Sequence, residues 1–428
     1  MTLFHFILLG SAAIMAALLF LILFEPGLKY RVSAQGSAID SERFLEVLGD
    51  VINARIFRSS AVDVHSTGES IYAAELAAIE SARSTVHIEA YLFLRGAAGD
   101  RFLEALTACA RRGVTVRVVV DAIGSLLTPN RYFAGLRAAG GRVMWYQPVR
   151  WYTLKRFNNR THRELLIVDG TVGFIGGAGI ADYWLPSPIP GRPWRDTVVR
   201  VTGPLVAGLQ SSFIENWLES SGEILSGEED FPDAAMATAG RDRGSVAGVV
   251  VNSTPSAARG TRARMLFQIF LASARRSILI NSPYFVPDRS ARQELLRAVG
   301  RGVSVTVITP NELNNHPVAR LASRRRYGEL IAGGVAIHEY QPAMIHAKVL
   351  IVDTTWSILG STNFDNRSFG LNDEVNVALR DASLAARMEA DFANDLAHSR
   401  RIDYETWSRR SFGERILAFA GIALERQE

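Results

Sequence analysis

The feature that most constrains this chain is that much of it is written twice. Arg111-Arg112-Gly113-Val114-Thr115-Val116 returns as Gly300-Arg301-Gly302-Val303-Ser304-Val305. Gly141-Arg142-Val143-Met144-Trp145-Tyr146-Gln147-Pro148 returns as Gly334-Val335-Ala336-Ile337-His338-Glu339-Tyr340-Gln341-Pro342. Thr161-His162-Arg163-Glu164-Leu165-Leu166-Ile167-Val168-Asp169 returns as Ile345-His346-Ala347-Lys348-Val349-Leu350-Ile351-Val352-Asp353. Three segments repeating in the same order imply one supersecondary unit used twice. Each unit alternates short β-branched runs, such as 114–120 and 303–308, with helical segments closed by Gly113 or Gly302. The alternation predicts an α/β fold: two repeated α/β units related by a pseudo-two-fold, each a mixed sheet flanked by helices.

The repeat sets the expected boundaries. A first unit covers 28–219 and a second covers 246–400, joined by a linker or exposed loop over 220–245 that is rich in Ser, Gly, Asp and Glu. A tail over 401–428 contains a largely apolar stretch, expected either to pack on the body or to contact a membrane surface. Residues 1–27 are expected to form an N-terminal transmembrane helix, because 6–24 carry no charge. That run reaches about 28 Å at about 1.5 Å per residue, close to a bilayer's hydrocarbon thickness. A cleaved signal peptide is the rival reading; the absence of a preceding Lys or Arg and the length of the run count against it. Lys29, Arg31 and Arg43 follow the run, so the positive-inside rule points to a single-pass protein of the cell membrane with its body in the cytoplasm.

Composition adds two limits. A net charge of +4 suits an anionic surface without requiring one. A lone cysteine, Cys109, excludes an internal disulfide and a Cys-based metal site, and its helical surroundings suggest packing. The histidines show no zinc spacing, so no metal or other cofactor is expected.

The second unit holds His346, Lys348, Asp353, Gly360 and Asn363, the pattern H-x-K-x4-D-x6-G-x2-N. In a strand, residues two apart share a face, so His346 and Lys348 point together while Ala347 points away. An imidazole beside an ammonium offers one group to attack or move a proton and another to hold a phosphate oxygen. Ser361 and Asn363, after the Gly360 turn, supply further hydrogen-bond donors. The first unit keeps His162, Asp169 and Gly176 in register but departs twice: Glu164 stands at the lysine position and Gly179 at the asparagine position. Lysine to glutamate reverses a charge, which at about 4 Å matters by kcal/mol even at an effective dielectric of about 20.

This pattern is similar to the defining motif of the phospholipase D superfamily. The segments Phe364-Asp365-Asn366-Arg367-Ser368-Phe369, Leu371-Asn372-Asp373-Glu374-Val375-Asn376-Val377, Pro193-Trp194-Arg195-Asp196 and Asp121-Ala122-Ile123-Gly124-Ser125 resemble its bacterial cardiolipin synthase branch. The resemblance runs from about Val62 to the C-terminus. It implies two phospholipase D-like units whose motifs meet to build one site. One histidine attacks phosphorus to give a phosphohistidine; the other protonates the leaving alcohol and then activates the incoming one. The implied catalytic set is His162, Asp169, His346, Lys348 and Asp353, with Ser361, Asn363 and Glu374 at the phosphate or substrate. Glu89 resembles an acidic position near that site, with a structural carboxylate as the alternative.

The resemblance assigns His162 as nucleophile and His346 as acid and base; the reverse stays open because the intact lysine lies beside His346. The activity implied is a membrane-anchored phosphatidyltransferase acting on a phospholipid such as phosphatidylglycerol, with lipid expected rather than nucleic acid. Two alternatives stand beside it: a phosphodiester hydrolase, and a catalytically weak phospholipid-binding relative, suggested by Glu164 and Gly179. Arg320, Arg324, Arg325 and Arg326 form a basic cluster that suits either lipid phosphates or a solvated helix face. Oligomeric state is not readable from the sequence.

Overall fold

Runs such as Thr115–Asp121 and Ser304–Pro310, rich in valine and isoleucine, form strands with most of their side chains buried. Continuous burial is what a sheet covered on both faces demands. The computed structural model describes residues 3–23, 28–33, 36–148, 158–186, 193–232, 245–255 and 260–410. Its strands join into one 16-stranded sheet.

The repeat is visible in the pairing. In the first half, Thr85–Ala90 pairs parallel with Thr115–Asp121 and antiparallel with Leu165–Val168, which continues antiparallel through Val172–Gly176 to Arg195–Thr202. In the second half, Ser277–Asn281 pairs parallel with Ser304–Pro310 and antiparallel with Val349–Val352, which continues through Trp356–Gly360 to Asn372–Arg380. The halves meet where Ile56–Thr67 runs antiparallel to Val246–Ser253, the arrangement a pseudo-two-fold axis requires. Helices flank the sheet, so the mixed α/β architecture expected from the repeat is present.

Local chemistry sets the helix ends. Ser41, Thr261, Asp288 and Asp381 each cap a helix by accepting a backbone N–H three residues on. Gly113 and Gly302 end equivalent helices at φ +87° and +88°. A Cβ at either would meet nothing, so backbone conformation rather than space calls for glycine there.

Each half has its own apolar core, and a third core joins them, uniting Val199, Phe213 and Trp217 with Ile345, Val375 and Phe392. The two halves are therefore fused by burial as well as by strand pairing.

The connecting and terminal segments fold further than their composition suggests. Within 220–232, Leu225 and Asp230 are buried, and Asp230 lies 3.2 Å from Arg117 and 3.5 Å from His87; residues 233–244 lie outside those described. Past residue 400, Ser399–Ile402 pairs with Ala336–Tyr340, and Trp407 donates its Nε1–H to the Arg324 carbonyl at 2.6 Å. The apolar stretch expected either to pack on the body or to contact a membrane surface falls in 411–428, outside the described residues. Leu3–Leu23 forms one helix, with Phe4, Phe6, Leu8, Leu9, Ile14 and Met15 exposed. Among the described residues no helix is long and apolar enough to cross a membrane; the side chains of 16–23 are not among them.

Candidate active site

Each motif histidine sits in an extended segment just ahead of its strand and is held by the opposite half. The His346 N–H donates to the Arg195 carbonyl at 2.7 Å, and the His162 N–H donates to the Asp373 carbonyl at 2.9 Å. The residue following each of those carbonyls is acidic, and its carboxylate meets the ring. His346 Nδ1 lies 2.9 Å from Asp196 Oδ2. His162 Nδ1 lies 3.3 Å from Glu374 and 3.0 Å from the Ser361 carbonyl. Gly176 pairs with Val198 and Gly360 with Asn376, so Asp196 and Glu374 occupy equivalent positions.

Both motif glycines are needed for close approach. A Cβ at Gly176 would fall 2.3 Å from the Thr197 carbonyl oxygen, and one at Gly360 would fall 2.1 Å from that of Val375. The neighbouring strand that carries each carboxylate could not then come so near.

Lys348 is buried against His346, its Nζ 2.8 Å from Nδ1, 2.9 Å from Nε2 and 2.8 Å from the carbonyl oxygen. With the Nδ1 proton donated to Asp196, Nε2 carries no proton, and the Lys348 ammonium lies beside the ring. Burial, and then the Lys348 charge, push His346 down to about 4 against the opposing pull of Asp196. Burial likewise pushes Lys348 down to about 8, with Asp196, Glu374 and Glu164 pulling the other way. On the other side, burial raises Glu374, but the His162 ring and hydrogen bonds from His162 and Ser361 outweigh it and hold the carboxyl below its ordinary range.

His162, Glu164, His346 and Asn363 line one cavity of about 410 Å³, together with Tyr91, Trp194, Tyr284, Arg367 and Asn372. Asn363 and Asn372 each bury an amide oxygen that has no hydrogen-bond partner among the described residues. Aromatic rings wall the histidines: Tyr91 lies 5.1 Å from His162, and Trp194 and Trp184 lie 5.3 and 5.7 Å from His346.

Four expectations need correction or refinement. Asp169 and Asp353, expected with the catalytic set, do not line the cavity. Each sits at positive φ at the far end of its strand, roughly 16 Å along the chain from the motif's polar end. Their carboxylates collect backbone N–H groups, from Arg83, Ser84 and Thr85 on Asp169 and from Arg275, Arg276 and Ser277 on Asp353. Ser361 turns its hydroxyl to Glu374 rather than to the cavity. Glu89 is buried beneath the site, accepting from Thr161 and Asn216, and burial raises it to about 7. Within the basic cluster, Arg324 binds the buried Glu339, and Arg320 lies 3.9 Å from the same carboxylate. Cys109 is buried, as packing requires.

The residue that sequence reasoning left without a role is Asp196. Its segment was singled out by resemblance, but the link from Gly176 to Asp196 is longer than the link from Gly360 to Glu374, which hides the equivalence.

The wider comparisons agree with this geometry. The family model described as "Cardiolipin synthase, PLD-like domain" matches residues 76–183 and 268–396. The cardiolipin synthase of Geobacillus kaustophilus is 33% identical over 359 residues, covering 84% of this chain and 70% of that protein. The major cardiolipin synthase of Bacillus subtilis is 32% identical over 360 residues, covering 83% and 73%. In fold, the chain is similar to the crystal structure of a phosphatidylserine synthase from Haemophilus influenzae, with a TM-score of 0.71 at 15% identity over 90% of this chain and 100% of that one. With two motif histidines, two cross-supplied carboxylates and one shared cavity, the chain belongs to the phospholipase D superfamily, in its cardiolipin synthase-like branch.

Proposed function

We propose that the protein is a phosphatidyltransferase that moves a phosphatidyl group from a donor such as phosphatidylglycerol to an alcohol through a phosphohistidine. The observation that carries this is the pair of histidines facing one cavity, each ring bound through Nδ1 to a carboxylate of the opposite half. The environment of His346 supports it as nucleophile. It is held neutral, its Nδ1 proton faces Asp196, and its Nε2 is beside Lys348. Nε2 attacks phosphorus, and the bond to the leaving alcohol oxygen breaks as that oxygen takes a proton from His162. In the second step His162 takes the proton of the incoming hydroxyl, its oxygen attacks phosphorus, and the P–N bond breaks. Lys348 and the Asn363 amide hold the non-bridging oxygens as charge builds on them.

A lipid-facing location is part of the same proposal. The uncharged helix Leu3–Leu23 exposes apolar side chains, and Lys29, Arg31 and Arg43 follow it, favouring insertion with the body on the cytoplasmic side. The test is turnover in liposomes containing phosphatidylglycerol, with His346→Ala and His162→Ala variants quenched in acid and base to trap phosphohistidine. Cardiolipin from the parent, with label on protein in His162→Ala and none in His346→Ala, is expected. Phosphatidic acid alone would make the protein a hydrolase, and bound lipid without product would make it a binding protein.

A further inference from the structure

The two departures of the first motif touch each other. A Cβ placed on Gly179 would lie 2.8 Å from Glu164 Oε1 and 2.9 Å from the Leu92 Cβ. Gly179 does not adopt positive φ, so it is glycine for space, and the space is filled by the Glu164 carboxyl. That carboxyl is oriented by the Leu92 N–H, which donates to Oε1 at 3.3 Å, and Glu164 lines the same cavity as His162 and His346. The second motif has Lys348 and Asn363 at the two positions where the first has Glu164 and Gly179.

We propose that Glu164 and Gly179 act as one unit that recognises a hydroxyl group of the incoming alcohol, leaving the phosphoryl anion to Lys348 and Asn363. The inference rests on the phosphatidyltransferase reading above. A carboxyl suits a hydroxyl in either protonation state, since it accepts the O–H when ionised and both donates and accepts when neutral. Burial drives Glu164 well up from the ordinary carboxylate range against the pull of the Leu92 N–H and Lys348, which favours the neutral form. An acceptor with two neighbouring hydroxyls can place one at phosphorus and the other on Glu164. The site should therefore prefer a vicinal diol to a monohydric alcohol of the same length.

The test gives the full-length protein in phosphatidylglycerol micelles glycerol and 1-propanol in competition, and follows both products and the phosphohistidine burst. In Glu164→Ala the glycerol-to-propanol product ratio should fall about tenfold, the share one hydrogen bond of ordinary net strength supplies. That fall should exceed any fall in the burst. An unchanged ratio, with burst and both products reduced alike, overturns the proposal. A parent that gives neither burst nor product overturns the phosphatidyltransferase reading and this one with it. Thermal melting tests the packing half without turnover. Gly179→Ala should lower Tm more in the parent than in the Glu164→Ala background, and equal losses would show the two positions to be independent.

Discussion

His346 and Asp196 lie 2.9 Å apart, ring nitrogen to carboxylate oxygen, and belong to opposite halves of the repeat. His162 and Glu374 repeat the relationship in the other direction. Neither half contains a complete histidine–acid pair, so the site exists only when the halves are docked. Asp196 is itself fixed by the Thr197 N–H at 2.7 Å and Trp184 Nε1–H at 3.2 Å. Such a shell holds the imidazole in one tautomer before substrate arrives.

Asp196→Asn should therefore lower kcat by about 10²- to 10⁴-fold, the range spanned by losing a positioned acid–base partner. Rapid-quench measurement of phosphohistidine formation checks it. A variant whose burst is as fast as the parent's would remove Asp196 from the mechanism.

The pH profile follows from two neighbours. His346, held near 4, is neutral and able to attack at any pH above that, so kcat/KM should rise through about pH 4. Lys348, held near 8, loses its charge as pH rises through that value, and activity should fall with it. Lys348→Arg keeps the charge and should shift the alkaline limb upward by more than one pH unit, at a lower maximal rate. An alkaline limb that stays at pH 8 in this variant would assign it to another group.

Asp353 predicts a separation of stability from chemistry. Its carboxylate accepts three backbone N–H groups at positive φ, where asparagine is tolerated better than alanine. Asp353→Ala should cost about 2–4 kcal/mol of stability by orphaning those donors and straining the turn. Asp353→Asn should lose less, with kcat per folded molecule within about threefold of the parent. Melting curves beside active-site titration distinguish this from a direct chemical role, in which kcat would collapse at unchanged Tm.

Arg163 is fully buried, donating to the Ser212 carbonyl at 2.6 Å and to Glu215 at 2.9 Å, with Asp373 at 3.9 Å. Glu215 is partly exposed, so removing Arg163 leaves Asp373 as the buried carboxylate without its cation, at about 3–5 kcal/mol. Arg163→Met should melt far below the parent, and Arg163→Lys should not restore it, because one ammonium cannot reach the same partners as the fork.

Glu75 carries a pH signature of its own. Burial raises it to about 8, so the folded state keeps a proton that the unfolded chain releases above the ordinary carboxylate range. Its contribution to stability is present at low pH and is lost as pH rises toward and through 8. Glu75→Gln should raise Tm by several degrees at pH 8.5 and little at pH 5, read by calorimetry. Equal shifts at both pH values would mean that Glu75 holds no proton in the fold.

Much of this was legible in the residues. The repeat implied two like units, and the two halves of the single sheet follow it, because segments such as Thr115–Asp121 and Ser304–Pro310 carry the same buried β-branched pattern. The shared cavity around His162 and His346 was legible only through resemblance, since no spacing says which elements meet in space. The partners buried around Arg163 carry no signal in the sequence, since Ser212, Glu215 and Asp373 lie far from it along the chain. Asp169 and Asp353 share the motif with the histidines because a motif records what a fold needs as well as what chemistry needs. Residues 220–232 read as a loop by composition, yet Asp230 is drawn inside by the Arg117 guanidinium, an attraction between residues far apart in sequence.

The crosswise support of the two histidines has a consequence for how such a site can change. In an assembly of two identical subunits, every substitution appears on both sides of the axis at once, so exchanging lysine for glutamate would strip both grips on the phosphate together. Here the two copies lie on one chain and are inherited as separate positions. Glu164 can differ from Lys348 while Asp196 and Glu374 continue to hold both rings. Covalent fusion of the halves thus releases the site from its own symmetry, and the two sides of the reacting phosphorus can meet two different chemical partners.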